Sequence, residues 1–356
     1  MDNTKNVFAF IMAGGSGERF WPMSRQRTPK HLLRLLDDRT LLETTVARLA
    51  EIVPLEQTFI LTNAAQFEAT CAAAPSIPVG NVIAEPAKRD TAPACALATA
   101  IARARNPEAI CAVLPADAMI HNVEKFQAQF LDAADAAATD GAIVTLGIPP
   151  TGPATGFGYL ETGEPVESGS RGSEIRRLQR FVEKPDTEKA IGYFESGRYF
   201  WNAGIFLWKA STFVAEAKRQ QPALAAFIEG LTSKTPLESY LAAHFVNLPK
   251  ISVDYAIMEH ATNLFAVLAE FDWDDVGAWT ALPAHLGWEP MGNCTRGPVV
   301  HHASTGNIAI SNGRTIALCG VSDLVVVETP DAILVCHKDA VQHVKNLQPH
   351  LPEALK

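Results

Sequence analysis

Five short apolar runs alternate with helical segments over the first 150 residues, and this alternation narrows the fold more than any other feature. The runs are residues 7–12, 58–62, 82–84, 109–114 and 142–147. Several are rich in Val and Ile, as strands buried on both faces are. Between them, residues 42–53 place Leu42, Val46, Leu49 and Val53 at three- and four-residue spacing. Residues 91–104 carry Pro93 near their start, where proline is tolerated, and then an alanine-rich body; residues 126–138 are similar. The pattern predicts an α/β domain with a mostly parallel sheet. Ligands of such sheets bind at the carboxyl ends of the strands, so the loops after Met12, Ala84 and Leu114 are where a site is expected.

From 151 to 288 glycines and prolines interrupt the pattern, and aromatic residues concentrate between 193 and 208. This stretch reads as the second half of the same domain. After Gly292 the texture changes to short strand-like runs at 299–301, 307–310, 315–318, 324–327 and 332–335. Asn312-Gly313 is a two-residue hairpin signal. The expectation is a catalytic domain over 1–288 and a small all-β appendage over 289–356, either a β-solenoid fragment or a meander, ending in a short helical tail. A bare strand edge on such an appendage suits an oligomer contact.

Composition excludes some partners. Apolar residues make up 47% and charged residues 19% of the 356, which supports a large core and argues against disorder. Asp and Glu number 39 against 30 Lys and Arg, a formal charge of −9. Nucleic acid and anionic membrane surfaces favour net positive faces, so neither is expected as a partner. No apolar run is long enough to cross a bilayer, and no signal peptide is expected at the N-terminus. The six cysteines form no C-x-x-C pair and sit mostly in apolar runs, which predicts reduced thiols in a cytoplasmic protein. The histidines show no metal-ligand spacing and read as surface or turn residues.

The loop after the first run is Ala13-Gly14-Gly15-Ser16-Gly17-Glu18-Arg19-Phe20-Trp21-Pro22. Its glycines free backbone N–H groups for an anion. A Walker A loop would need Lys-Ser/Thr after the last glycine, where Glu18-Arg19 stands. A dinucleotide fingerprint would need glycine at 20, which is Phe. What remains is a glycine loop flanked by two cations, Arg19 and Lys30, an arrangement suited to a polyphosphate and above all to a departing pyrophosphate.

The run Gly14-Gly-Ser-Gly-Glu-Arg-Phe-Trp-Pro-x-Ser-x-x-x-x-Pro-Lys30 resembles the signature of sugar-1-phosphate nucleotidyltransferases, and its Phe-Trp-Pro variant resembles the mannose-1-phosphate guanylyltransferase branch. The resemblance continues, in order, at Glu85-Pro-Ala-Lys-Arg-Asp-Thr-Ala-Pro-Ala94, Leu114-Pro-Ala-Asp117, Gly156-Phe-Gly-Tyr-Leu160 and Phe181-Val-Glu-Lys-Pro185. It ends with Trp201-Asn-Ala-Gly-Ile-Phe206, Ser252-Val-Asp-Tyr255 and Asp272-Trp-Asp-Asp-Val-Gly-Ala-Trp279. It implies a Rossmann-like, GT-A-type fold, GTP and mannose 1-phosphate as substrates, Mg²⁺ as cofactor and a homodimer. It also implies the short form, without the isomerase domain that longer relatives carry. Arg19, Lys30 and Asp117 would be catalytic, with Asp117 and Asp275 holding the metal; Asp272 and Asp274 stand close enough to be the ligand instead. The nucleotide would be bound by Gly14, Gly15, Ser16, Gly17, Glu18, Glu85, Pro86, Arg89, Thr91 and Ala92. Gly158, Glu183, Lys184, Asn202 and Asp254 would bind the sugar phosphate. A carboxylate at Glu85 could accept from guanine N1–H and N2–H₂, an arrangement adenine does not offer. Two positions depart from the pattern: Asp90, where asparagine is commoner, and Ala118, where histidine often stands. Another sugar or base, or a relative that binds without turnover, is the alternative reading.

Overall fold

The structure, a computed structural model, describes residues 3–166 and 168–356. Its centre is a nine-stranded sheet built from β1 (Val7–Met12), β2 (Thr58–Asn63), β3 (Val82–Glu85), β4 (Ile110–Pro115), β5 (Ile143–Ile148), β6 (Tyr159–Pro165), β7 (Ile175–Val182), β8 (Tyr199–Lys209) and β9 (Leu264–Leu268). The order is β3-β2-β1-β4-β8-β5-β9-β7-β6. The first four strands in that order are parallel; β8 runs antiparallel to β4 and β5, and β6 and β7 pair antiparallel. The five apolar runs of the first 150 residues are strands, and the irregular stretch after 151 supplies the rest of the same sheet.

Helices α1 (Leu41–Leu49), α2 (Phe67–Ala73), α3 (Thr91–Arg105) and α4 (Val123–Ala137) connect the parallel strands. Thr40 and Glu43 close a reciprocal cap that starts α1. Every residue of α3 from Ala92 to Ala102 is buried. Small side chains let this helix pass between the sheet and the helices Ala210–Gln220 and Pro222–Gly230, which explains its alanine body. Two apolar layers cover the two faces of the sheet.

The β-rich appendage comprises β10 (Cys294–Arg296), β11 (Val299–His302), β12 (Ile308–Ser311), β13 (Ile316–Cys319), β14 (Leu324–Glu328) and β15 (Ile333–His337). β10, β12 and β14 stack in parallel, as do β11 and β13, the arrangement of a β-solenoid. The hairpin expected at Asn312-Gly313 does not form. β12 and β13 lie in different sheets, so this turn rounds a solenoid corner, where Glu328 Oε2 accepts from Asn312 N at 2.9 Å. The tail from Lys338 to His350 is 3₁₀-helical. The appendage is not separate in its packing. Ile308, Ile310, Val325, Val327, Val341 and Val344 share one buried cluster with Phe20, Trp21, Met119 and Trp279.

Among the described residues no helix is long and apolar enough to cross a membrane. All six cysteines are free; Cys95, Cys111 and Cys294 are buried and Cys319 is exposed.

Candidate active site

β2 and β3 lie to one side of β1 and β4 to the other, so the loops after β1 and β4 diverge and open a crevice at the carboxyl edge. Register aligns the loops that matter. Met12 pairs with Pro115, and Asn63 with Glu85, so Glu85, the glycine loop and Asp117 follow one another along a single edge. Gly17 is left-handed (φ 63°), and a Cβ there would lie 2.4 Å from Lys30 Cβ and 2.7 Å from Lys30 N. Only glycine lets the loop close on Lys30. Gly14 and Gly15 are exposed with open space where a Cβ would stand. Ser16 Oγ donates to Glu18 Oε1 at 3.1 Å, and Arg19 Nη1 to the Gly277 carbonyl at 3.3 Å.

Lys30 is buried and joins the two expected carboxylate positions. Its Nζ is 2.9 Å from Asp117 Oδ2 and also donates to the Asp275 carbonyl. An antiparallel bridge between Met119 and Asp274 draws the 272–279 segment against the loop after β4. The three neighbouring aspartates then separate by role. Asp272 accepts from His121 N and Asn122 N at 2.8 and 2.7 Å, ahead of α4. Asp274 accepts from Val276 N at 2.7 Å and pairs with His285 Nε2 at 3.0 Å, and His285 in turn meets His121. Asp275 lines the cleft with Asp117. Burial raises its pKa, with Asp274 and Asp117 adding to the rise while Lys30 and Arg19 oppose it. Not all histidines are surface residues: His31 is buried, and burial pushes it down to about 4, so it is neutral.

Asp117 and Asp275 also line a second cleft, with Gly158, Glu183, Asn202 and Asp254. β6 assembles this side, because Tyr159 pairs with both Val182 and Trp201 and so sets Gly158 between Glu183 and Asn202. A Cβ at Gly158 would lie 2.6 Å from Glu183 Oε2. Asn202 Oδ1 accepts from Thr145 Oγ1 at 3.0 Å and Gly204 N at 3.1 Å, which turns its amide donors outward. Glu183, almost wholly buried, holds Lys184 Nζ at 2.6 Å; Lys184 itself is exposed. Burial and the nearby Glu183 push Asp254 up to about 6.

The nucleotide residues expected after β3 divide. Glu85 is half-buried, and burial pushes its carboxyl up to about 8. Pro86 is exposed. Arg89 donates to the Val246 carbonyl, Thr91 Oγ1 accepts from Val253 N at 2.8 Å, and Ala92 N donates to the Ile251 carbonyl at 3.1 Å. These three tie the start of α3 to the segment carrying Asp254. Asp90 caps Thr91 N at 2.8 Å from a left-handed backbone (φ 71°).

Comparison with known proteins agrees with this geometry. The nucleotidyl transferase family matches residues 8–285, and the MannoseP isomerase/GMP-like beta-helix domain matches residues 297–351. The mannose-1-phosphate guanylyltransferase of Escherichia coli K12 is 36% identical over 96% of this chain and 72% of its own length. The chain belongs to this family of nucleotidyltransferases. The alginate biosynthesis protein AlgA of Pseudomonas aeruginosa is also 36% identical, over 95% of this chain and 70% of its own. A crystal structure described as a mannose-1-phosphate geranyltransferase from Thermus thermophilus superposes with a TM-score of 0.86 at 35% identity, covering 97% of this chain and 99% of that one.

Nucleotidyltransferases of this kind work with a divalent cation, and the carboxylates here fit one. Asp117 and Asp275 converge on one cleft, and the Asp117 charge adds to the rise that burial imposes on the Asp275 pKa, a repulsion a cation would relieve. No group of three or more His, Cys, Asp and Glu side chains able to hold a metal occurs among the described residues. Two carboxylates with the remaining ligands from phosphate and water is the usual pattern for Mg²⁺. Sequence reasoning gave no role to Phe157 and Trp273, which pack edge to face beside the second cleft, to Gly277 and Lys345 at the first, or to Gln342 in a neighbouring cleft with Arg19 and Gly277. Phe157, Trp273 and Gly277 lie inside motifs that carry the resemblance; the tail residues carried no recognisable signal.

Proposed function

We propose that this nucleotidyltransferase moves a guanylyl group from GTP to α-D-mannose 1-phosphate, giving GDP-mannose and pyrophosphate. The observation that carries the reading is that Asp117 and Asp275 border both clefts, the glycine-loop cleft and the Gly158–Glu183–Asn202 cleft. A phosphate-transfer site needs such a junction, since two anions must meet there. A sugar-phosphate oxygen attacks the α-phosphorus; the new O–P bond forms as the bond to the β-phosphate breaks, and the electron pair leaves with pyrophosphate. The nucleophile is already an anion, so the protein aligns and neutralises rather than removes a proton. Glycine-loop N–H groups and Arg19 hold the β- and γ-phosphates, and Lys30 faces the developing charge. Glu183 and Asn202 hold sugar hydroxyls, Lys184 swings from Glu183 to the sugar phosphate, and Glu85 pairs with guanine. Asp117 and Asp275 would hold Mg²⁺, which supplies charge neutralisation at the α-phosphate.

The Thermus relative's description names geranyl transfer. A geranyl donor needs an apolar channel, whereas the cleft is lined by Arg19, Lys30, Asp117 and Asp275. The same proposal assigns residues 1–288 to catalysis and 289–356 to the appendage, in a cytoplasmic enzyme. It places a homodimer contact at the edge strand β15, where Ile333 and Val335 are 56% and 60% exposed. The test is pyrophosphate release with Mg²⁺, crossing GTP, ATP, UTP and dTTP with mannose 1-phosphate and glucose 1-phosphate. Release confined to GTP with mannose 1-phosphate, and abolished by EDTA, is expected. Release with another pair would overturn Glu85 and Glu183 as the specificity residues.

A further inference from the structure

The segment Lys338–His350 is a 3₁₀ helix, in which residues three apart lie one above another. Val341 and Val344 form one stripe and are buried in the cluster shared with Phe20 and Trp279. The next stripe is Gln342, Lys345 and Gln348, and each borders the glycine loop. Gln342 lines a cleft with Arg19 and Gly277, Lys345 one with Gly17 and Lys30, and Gln348 one with Ser16 and Glu18. The segment is pinned there: Trp21 Nε1 donates to the Leu355 carbonyl at 3.0 Å and Gln26 N to the Lys356 carbonyl at 3.3 Å.

The cations of the glycine-loop cleft differ in what they already hold. Lys30 is engaged by Asp117 and the Asp275 carbonyl, and Arg19 by the Gly277 carbonyl. Lys345 is exposed and forms no ion pair among the described residues. We propose that Lys345 is a third cation of the triphosphate site, contributed by the segment after β15 and acting on the β- and γ-phosphates and on departing pyrophosphate. This rests on the reading of the cleft as a GTP site. An uncommitted ammonium with three donors interacts with the polyphosphate chain that GTP and pyrophosphate present and guanosine monophosphate lacks. The appendage is therefore a wall of the active site as well as a scaffold.

Calorimetric titration of the full chain with GTP, guanosine monophosphate and inorganic pyrophosphate in Mg²⁺ tests this. Lys345→Ala is expected to weaken GTP and pyrophosphate about five- to tenfold and guanosine monophosphate by less than about twofold. Lys345→Arg should restore most of the loss, and the melting temperature of both variants should match wild type, because the side chain is exposed. Unchanged GTP and pyrophosphate affinity in Lys345→Ala overturns the inference, as does equal weakening of all three ligands. Wild-type protein that binds neither GTP nor pyrophosphate would overturn the functional reading itself, and this inference with it.

Discussion

Gly17→Ala separates what the glycine loop does for the fold from what it does for a substrate. At φ 63° an L side chain carries about 1–2 kcal/mol of backbone strain. The new Cβ would also meet Lys30 Cβ at 2.4 Å, its N at 2.7 Å and its Cα at 3.0 Å. These are backbone and near-backbone atoms, so no rotamer change relieves the overlap, and overpacking of this kind adds about 1–3 kcal/mol. The expected loss is about 2–5 kcal/mol, or a melting point lower by roughly 3–7 °C in a chain of this length. Because the residue pushed aside is Lys30, turnover should fall as well. Gly14→Ala and Gly15→Ala are the controls. Each would meet nothing within 4 Å, and neither backbone is left-handed. Their melting points should equal or slightly exceed wild type, since alanine lowers the entropy of the unfolded chain. Their KM for GTP should nevertheless rise, because the new methyl groups occupy space the phosphates approach. Scanning calorimetry and steady-state kinetics on the three variants read both effects. A Gly17→Ala protein that melts with wild type, or Gly14→Ala melting lower than Gly17→Ala, would refute the argument.

Asp275→Asn should lower kcat on the order of 100-fold or more with no loss of melting temperature, since it removes a half-buried carboxylate crowded by Asp117 and Asp274. Asp274→Ala should instead destabilise by about 1.5–3 kcal/mol, because it strips His285 and Val276 N of their acceptor; matching profiles for the two variants would refute the sorting of these aspartates. With the Glu85 carboxyl up at about 8, pairing with guanine requires loss of a proton below that pH. KM for GTP should therefore rise up to about tenfold per pH unit as pH falls below about 8 and be flat above it; Glu85→Gln should remove the slope, and a slope that persists in that variant refutes the assignment. Gly158→Ala, which would place a methyl 2.6 Å from Glu183 Oε2 without left-handed strain, should raise KM for mannose 1-phosphate severalfold and leave KM for GTP unchanged.

The parallel half of the sheet was legible because its strands are buried on both faces and its helices follow the 3.6-residue period. The glycine loop, Lys30 and Asp117 were legible because each directly follows such a strand or lies a fixed distance beyond it. The Asn312-Gly313 turn misled, because a turn dipeptide specifies local backbone and not which strands it joins. Asp275 was singled out over Asp272 and Asp274 only through the resemblance and with both left open, since three acidic residues in four positions differ only in what the Met119 bridge turns them toward. Lys345 was hidden for a related reason. The glycine-loop residues it borders are more than 300 positions away in sequence, and a three-residue period in a polar tail reads as an ordinary helix end.

Strand order accounts for the separation of chemical tasks. β3 carries Glu85, β1 leads into the glycine loop, β4 leads into Asp117, and β6, β7 and β8 bring Gly158, Glu183 and Asn202 together. Adjacent strands are about 4.8 Å apart, so Glu85 and the glycine loop stand about two strand spacings apart, a span of about 10 Å suited to a base at one end and phosphates at the other. The sugar side is reached in the other direction, across antiparallel strands that the sequence inserts after β5. On the proposed assignment, base choice and sugar choice depend on residues from opposite ends of one edge, with Asp117 and Asp275 between them. A change in β3 should alter the base accepted without disturbing the sugar, and a change around β6 the reverse. Neither change can move the junction, because Lys30 ties both sides of it to the glycine loop.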